Sequence, residues 1–255
     1  MYKDEFQAVC NAAKGKLNLL TKNPTGYFLS SMLAGLYVAF GAIVSYSVGA
    51  TLKAADSPMT KVMASAIFCV ALCLVICAGS DLFTGNVFTL TSAALKKEIK
   101  WGNVGQVGAV SYIGNFVGTM VAVALFHFSG VASGPVGEYF ATASAVKMSY
   151  SPLELLLRGV LCNILVCLAV WCSLKLKSES GKLIMIFLCI FTFMYCGFEH
   201  SIANMGILLV GLLNQGAEAL SVGGYFYNLA LSTLGNIIGG ALFVAIPYYI
   251  ISKDK

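Results

Sequence analysis

Charge is what this sequence has least of. Only 11% of its 255 residues are Asp, Glu, Lys or Arg, while 58% are hydrophobic; a soluble domain carries about a quarter charged residues. A soluble globular fold is excluded, and the chain reads as one polytopic membrane domain over residues 1–255. A cleavable leader is also lacking. Met1 to Pro24 is polar and lysine-rich, so residues 1–22 read as a cytoplasmic amphipathic segment. No basic cluster is interleaved with aromatics, which removes a nucleic-acid partner. No Cys-x-x-Cys occurs, and no Ser or Cys nucleophile is set beside a base at defined spacing. The reading is therefore a non-enzyme, with no cofactor and no metal. Cys69, Cys73 and Cys77 line one helical face as a soft-metal site would, but no second ligand group with metal spacing accompanies them. Buried thiols resist ionisation, so these cysteines read as small apolar packing residues.

What is present is a set of long uncharged runs. Residues 23–52 form the first span. The second runs over 62–80, is interrupted by Asp81, and continues over 82–95. The third lies within 102–129, and a polar external connection follows over about 130–152. The fourth occupies about 153–174. The fifth starts near Leu183, is interrupted at Glu199-His200, and resumes to about 214. The sixth covers about 225–252. A straight crossing needs about 20 residues, so four of the six qualify simply and two are broken. With six spans drawn, Lys3, Lys14, Lys16, Lys22, Lys96, Lys97, Lys100, Lys175, Lys177, Lys182, Lys253 and Lys255 fall on one side. Lys53, Lys61, Lys147 and Arg158 fall on the other. That bias predicts a multi-pass plasma-membrane protein with both termini cytoplasmic.

The two breaks match. "GSDLFTGNVF" contains Asp81, Thr84 and Asn86; "GFEHSIANMG" contains Glu199, Ser201 and Asn204. Each is followed by a related third segment, around Asn115 and Asn236, carrying Gly114-x3-Gly118 and Gly235-x3-Gly239. Such small-xxx-small pairs let helices approach closely in lipid. A three-span unit, repeat A over about 23–129, thus recurs as repeat B over about 153–252. Three being odd, the copies enter the membrane in opposite senses. Paired broken spans in an inverted repeat are the best sequence pointer to a midplane transport path.

Unwound backbone inside a bilayer survives only against protein or a water-filled cavity. The half-helices 82–95 and 199–214 would each aim a positive dipole end at the same central place, which favours an anion. Thr84, Ser201, Asn86 and Asn204 are residue types that cap such ends or line the gap. Glu199 is read as a cap on backbone N–H groups, with orientation or charge balance of His200 as the other reading. His200 is an ionisable group within a span, and such groups face a path; an imidazole also donates or accepts a proton near neutral pH. His127, near the outer end of the third span, reads as interfacial.

At "SDLFTGNVF" and "GFEHSIANM", with "CLAVW" at 167–171 and "GNIIGG" at 235–240, the chain resembles the formate/nitrite transporter family of small-anion channels. Within it, the sequence is most similar to the clostridial hydrosulfide channels. The resemblance covers all six spans. It implies an all-α, aquaporin-like protomer with broken second and fifth spans, assembled as a homopentamer in the lipid bilayer with a pore in each protomer. It also implies roles. Thr84 and His200 would face each other across a central chamber. Phe68 and Phe193 would form the outer constriction, Leu72 and Leu82 the inner one. Asn163 would hydrogen-bond His200 and set its tautomer. Phe83 would belong to a movable break, and Lys147 would sit in the outer vestibule.

The expected function is a membrane channel for small monovalent anions: hydrosulfide first, then formate and nitrite. A proton-coupled formate or nitrite symporter is the alternative. Lys147 would collect the anion, since a fixed cation at a low-dielectric mouth concentrates counter-ions. His200 would supply a proton or a strong hydrogen bond between apolar rings that block a bare ion. A water pore of the aquaporin class is disfavoured because neither break carries Asn-Pro-Ala. The lysine-rich segment Lys14 to Lys22 is expected to lie on anionic lipid rather than to gate.

Overall fold

The computed structural model describes residues 1–253; Lys255, counted above among the cytoplasmic lysines, lies outside the described residues. The elements among them are helical throughout. Helix α1 spans Lys3–Lys22 and α2 Pro24–Ala54. The second span begins as α3 (Thr60–Phe68) and α4 (Val70–Leu74) and ends in a π-helical turn, Val75–Gly79. Its other half is α5 (Phe83–Leu95), followed by α6 (Trp101–Phe128). Then come α7 (Pro135–Ser149), α8 (Pro152–Lys175), α9 (Glu179–Cys196) and α10 (Ser201–Leu213). The last span is α11 (Val222–Gly240), a π-helical turn Ala241–Ala245 and α12 (Ile246–Ser252).

Helix starts follow local chemistry. The side chains of Asn23, Ser151, Ser178 and Ser221 each accept a hydrogen bond from a backbone N–H in the first turn that follows. Each such cap contributes about 1 kcal/mol. Pro24 and Pro152 take the first helical position, where a missing N–H costs nothing. Among the described residues, six helical stretches are long and apolar enough to cross a membrane. Their outward faces carry large apolar side chains, among them Ile113, Leu125, Ile184 and Leu188. A water-soluble fold would bury those groups, whereas hydrocarbon tolerates them.

The inverted repeat is visible at the level of single atoms. Gly79 (φ +78°) and Gly197 (φ +73°) turn the chain out of helix at the start of the two breaks, a left-handed conformation that glycine adopts without steric cost. Asp81 N–H donates to Ser30 O, and Glu199 N–H to Arg158 O, both at 3.2 Å. Asn115 Nδ2 donates to Asp81 O (2.9 Å) and Ser31 O (2.7 Å), while its Oδ1 accepts from Phe83 N (2.9 Å). Asn236 repeats this on Glu199 O (2.9 Å), Gly159 O (2.8 Å) and Ser201 N (2.9 Å). Each amide side chain thus satisfies backbone groups that lipid cannot, which is why an unwound segment persists inside a span. The paired glycines allow close helix approaches: a Cβ on Gly118 would lie 1.8 Å from Met32 O, and one on Gly239 2.3 Å from Val160 O.

Two expectations change. The polar connection over about 130–152 contains a helix, α7, that precedes repeat B as α1 precedes repeat A. Its Gly137, Phe140, Ala141 and Ser144 are buried, a stripe too short and too rich in small residues to stand out in hydropathy. Helix α1 does not simply lie on a surface. Its Phe6, Val9, Cys10, Ala13 and Leu20 join a core cluster with Tyr27, Phe88 and Trp171, so its apolar stripe is covered by protein.

Candidate functional site

The two breaks meet side by side. Thr84, second residue of α5, places Oγ1 3.0 Å from His200 Nε2. His200 is the residue before α10, and its backbone is extended (φ −103°, ψ 113°). Its Nδ1 accepts from Ala203 N–H at 3.1 Å, capping the helix. An Nδ1 that accepts cannot carry the proton of a neutral imidazole, so that proton sits on Nε2 and points at Thr84. The cap fixes the tautomer. Asn163 does not, contrary to the expectation: its Nδ2 donates to Thr84 O (3.2 Å) and Asn236 O (2.7 Å). It ties the first break to α11, at the residue that holds the second, instead of touching the ring. The residue on the first break that corresponds to His200 is Leu82, which offers α5 no side-chain cap.

Apolar rings flank this pair. Phe193 lies 5.8 Å from the imidazole, nearly parallel to it, and meets Phe68 edge-on at 5.9 Å. On the other side Leu72 and Leu82 share a cavity of about 260 Å³ with Lys16, Gly85 and Thr89. Phe68, Leu72, Leu82 and Phe193 are all buried. Phe83 is the first residue of α5, held through its N–H by Asn115, with its ring edge-on to Tyr112 at 5.0 Å.

The acidic residues of the breaks are neither free nor caps. Glu199, 1% exposed at its side chain, binds Lys147 Nζ through Oε1 at 2.8 Å. Its Oε2 accepts from Asn204 Nδ2 at 2.6 Å, and Asn228 links Asn204 to the Lys147 carbonyl. The cap on α10 is His200, so the reading of Glu199 as a backbone cap is replaced by an ion pair. Lys147 is correspondingly no open vestibule charge. Burial pulls its pKa down, but the Glu199 carboxylate, with Tyr46 and Tyr150, leaves the net shift upward. The first break mirrors the arrangement: Lys16 Nζ lies 3.2 Å from Asp81 Oδ2, and Asp81 Oδ1 accepts from Tyr27 Oη at 2.7 Å and from Asn86 Nδ2. Lys16 also donates to Asn86 Oδ1.

This mirrored lysine escaped the sequence reading, although a signal for it exists. Lys16 follows Phe6, Val9 and Ala13 on the stripe that α1 buries, a place where a charge needs a partner. Lys147 stands in the same relation to Phe140 and Ser144 on α7. His127, read as interfacial, has a buried Nδ1 with no partner among the described residues.

Broken, mirror-related spans enclosing one polar pair between greasy rings define a multi-pass membrane protein of the transporter or channel class. The chain belongs to the formate/nitrite transporter family, whose model matches residues 3–250. It is similar to the nitrite transporter NirC of Escherichia coli (strain K12), 34% identical over 250 residues, covering 98% of this chain and 92% of that one. A solved FNT family ion channel superposes with a TM-score of 0.92 at 30% identity, covering 98% and 99% of the two chains. A pentameric formate channel with formate bound superposes with a TM-score of 0.77 at 29% identity, covering 89% of this chain and 96% of that one.

Proposed function

We propose that this chain is a channel for small monovalent anions, hydrosulfide ahead of formate and nitrite, with one pore in each protomer of a homopentamer. Thr84 and His200 form the central chamber, Phe68 with Phe193 and Leu72 with Leu82 its two gates. Asn163 positions Thr84 by holding its carbonyl, and Phe83 starts the half-helix that carries it. Glu199 and Lys147 act as a fixed neutral pair behind the chamber. The solved relatives, one an ion channel and one a pentameric formate channel, support conduction and the assembly.

The single observation that carries this reading is the imidazole with Nδ1 occupied by a helix cap and Nε2–H aimed at Thr84. Charging that ring would cost the cap and set a cation against the positive end of α10. Passing on the Nε2 proton would leave an imidazolate. His200 therefore acts as a neutral hydrogen-bond donor, and with the Thr84 hydroxyl it replaces part of the hydration an anion loses between the rings. Hydrosulfide suits this path best because it is a small monovalent anion whose charge the two donors can meet together between the rings. The chemistry of the chamber favours conduction over a proton relay through His200.

The test is flux in proteoliposomes loaded against hydrosulfide, formate, nitrite and chloride. The expected result is a hydrosulfide rate above the others, a reversal potential set by the anion gradient, and a loss of about 10²-fold in His200→Ala, as for one donor aimed at a charge. Electroneutral uptake with internal acidification would establish the symport alternative. An unchanged rate in His200→Ala would end the central role of the imidazole.

A further inference from the structure

A second basic feature lies away from the pore. At the end of the molecule where α1 starts and α5 and α12 finish, a cavity of about 270 Å³ is lined by Lys3, Lys96, Lys97 and Lys253 over a floor that includes Phe6 and Tyr249. None of the described lining residues is acidic. Part of this charge has an ordinary explanation, since lysines complement the negative ends of helices, and Lys253 stacks on the Tyr249 ring at 4.3 Å. Lys96 also reaches Glu98, 3.5 Å away, and Gln7.

Lys97, just past the end of α5, is the least expected of the four. Its backbone is left-handed (φ +60°), in the bonding pattern that closes α5: Lys97 N–H to Ala94 O and Glu98 N–H to Ala93 O, each 2.9 Å. Glycine is the residue that fits this position at least cost. The chain places a lysine there, and its side chain lines the cavity. The depth is also informative. Ile250 and Ile251, between the lining residues Tyr249 and Ser252, expose apolar side chains, and Trp101, the first residue of α6, is 59% exposed. Exposed aromatics at span ends mark the headgroup level.

We propose that this cavity binds the phosphate headgroup of an anionic phospholipid, with Lys97 and Lys253 as the principal contacts and Ile250 and Ile251 beside its acyl chains. The shared chemistry is a phosphate ester, which a free phosphate ion would also offer; the apolar margin favours the lipid. Juxtamembrane lysines attract anionic lipid individually, and a cavity holding several adds a defined place for one molecule.

The experiment uses the intact assembly in phosphatidylcholine nanodiscs with and without phosphatidylglycerol, read by native mass spectrometry and by the unfolding temperature. Lys97→Gly with Lys253→Gln removes two contacts while easing the backbone at position 97. Lys22→Gln with Lys177→Gln removes the same charge elsewhere. Expected is retained phosphatidylglycerol in the wild type and the control, with binding weakened roughly tenfold or more in the first pair, given the worth of each lysine. Equal losses in both pairs would reduce the effect to diffuse attraction and overturn the site. A stabilising shift with inorganic phosphate but none with phosphatidylglycerol would overturn the lipid as occupant.

Discussion

Replacing Lys147 by alanine separates two roles for this residue. Its Nζ lies 2.8 Å from a Glu199 oxygen that is almost wholly buried, and the lysine side chain itself is 16% exposed. At an effective dielectric of about 20 the gross attraction is about 6 kcal/mol, most of it offset by the desolvation of both ions. Removing one partner is a different matter, because the other charge stays behind. Breaking a buried pair costs about 3–5 kcal/mol. Glu199 keeps its Asn204 donor on the second oxygen, so the lower end, about 3 kcal/mol, applies. For a chain of this size that is a drop of roughly 6–12 °C in unfolding temperature. Glu199→Gln added to Lys147→Met should restore most of it. The Lys147 pKa is raised, so the lysine's contribution is fully present below its ordinary value and lost only as pH rises through the higher folded one. The gap between wild type and Lys147→Ala should therefore hold steady from neutral to mildly alkaline pH. The assay is thermal unfolding of the oligomer in detergent beside anion flux. A variant that melts with the wild type and loses flux only at low anion concentration would refute the structural role and restore the vestibule collector.

Asn115→Ala and Asn236→Ala should behave alike, since each removes three hydrogen bonds that hold a break. Buried backbone groups left unpaired cost about 1–3 kcal/mol each, and amide exchange at Phe83 or Ser201 should rise specifically in the matching variant. Gly118→Ala should fail to assemble or lose more than about 3 kcal/mol, beyond ordinary overpacking, because its Cβ would meet backbone at 1.8 Å; a wild-type melting curve would contradict the packing. Glu98 ties α1 to the end of α5 through Lys14 (2.6 Å) and Gln7 (3.2 Å). Burial would raise its pKa, but those hydrogen bonds outweigh it and lower it. Its contribution is present above the ordinary glutamate value and lost as pH falls through the depressed one. Glu98→Gln should cost less than about 1 kcal/mol and abolish that acid-side loss in α1 protection from proteolysis.

Much of the fold was legible because a bilayer imposes strict rules on a sequence. Uncharged runs placed the six spans to within a few residues, and the interruptions at Asp81 and Glu199 placed the half-helices at Phe83–Leu95 and Ser201–Leu213. The matched motifs around Asn115 and Asn236 carried the repeat. What hydropathy missed was α7, a helix that is neither long nor strongly apolar.

Partnerships inside the membrane were the opposite case. Residue types made Glu199 look like a cap, and the family resemblance made Asn163 a ligand of the imidazole and Lys147 an open charge. Each instead took the partner that the folded chain brought nearest, often more than 50 residues away in sequence. The sequence by itself determined which residues are costly in lipid and therefore must be satisfied, since that follows from side-chain chemistry alone. Only the tertiary structure decided which group satisfies which, because the inward fold of α1 and α7 delivers Lys16 and Lys147 to the two carboxylates and leaves His200 to cap its own helix. That choice depends on distances between segments remote in the chain, which no local pattern encodes.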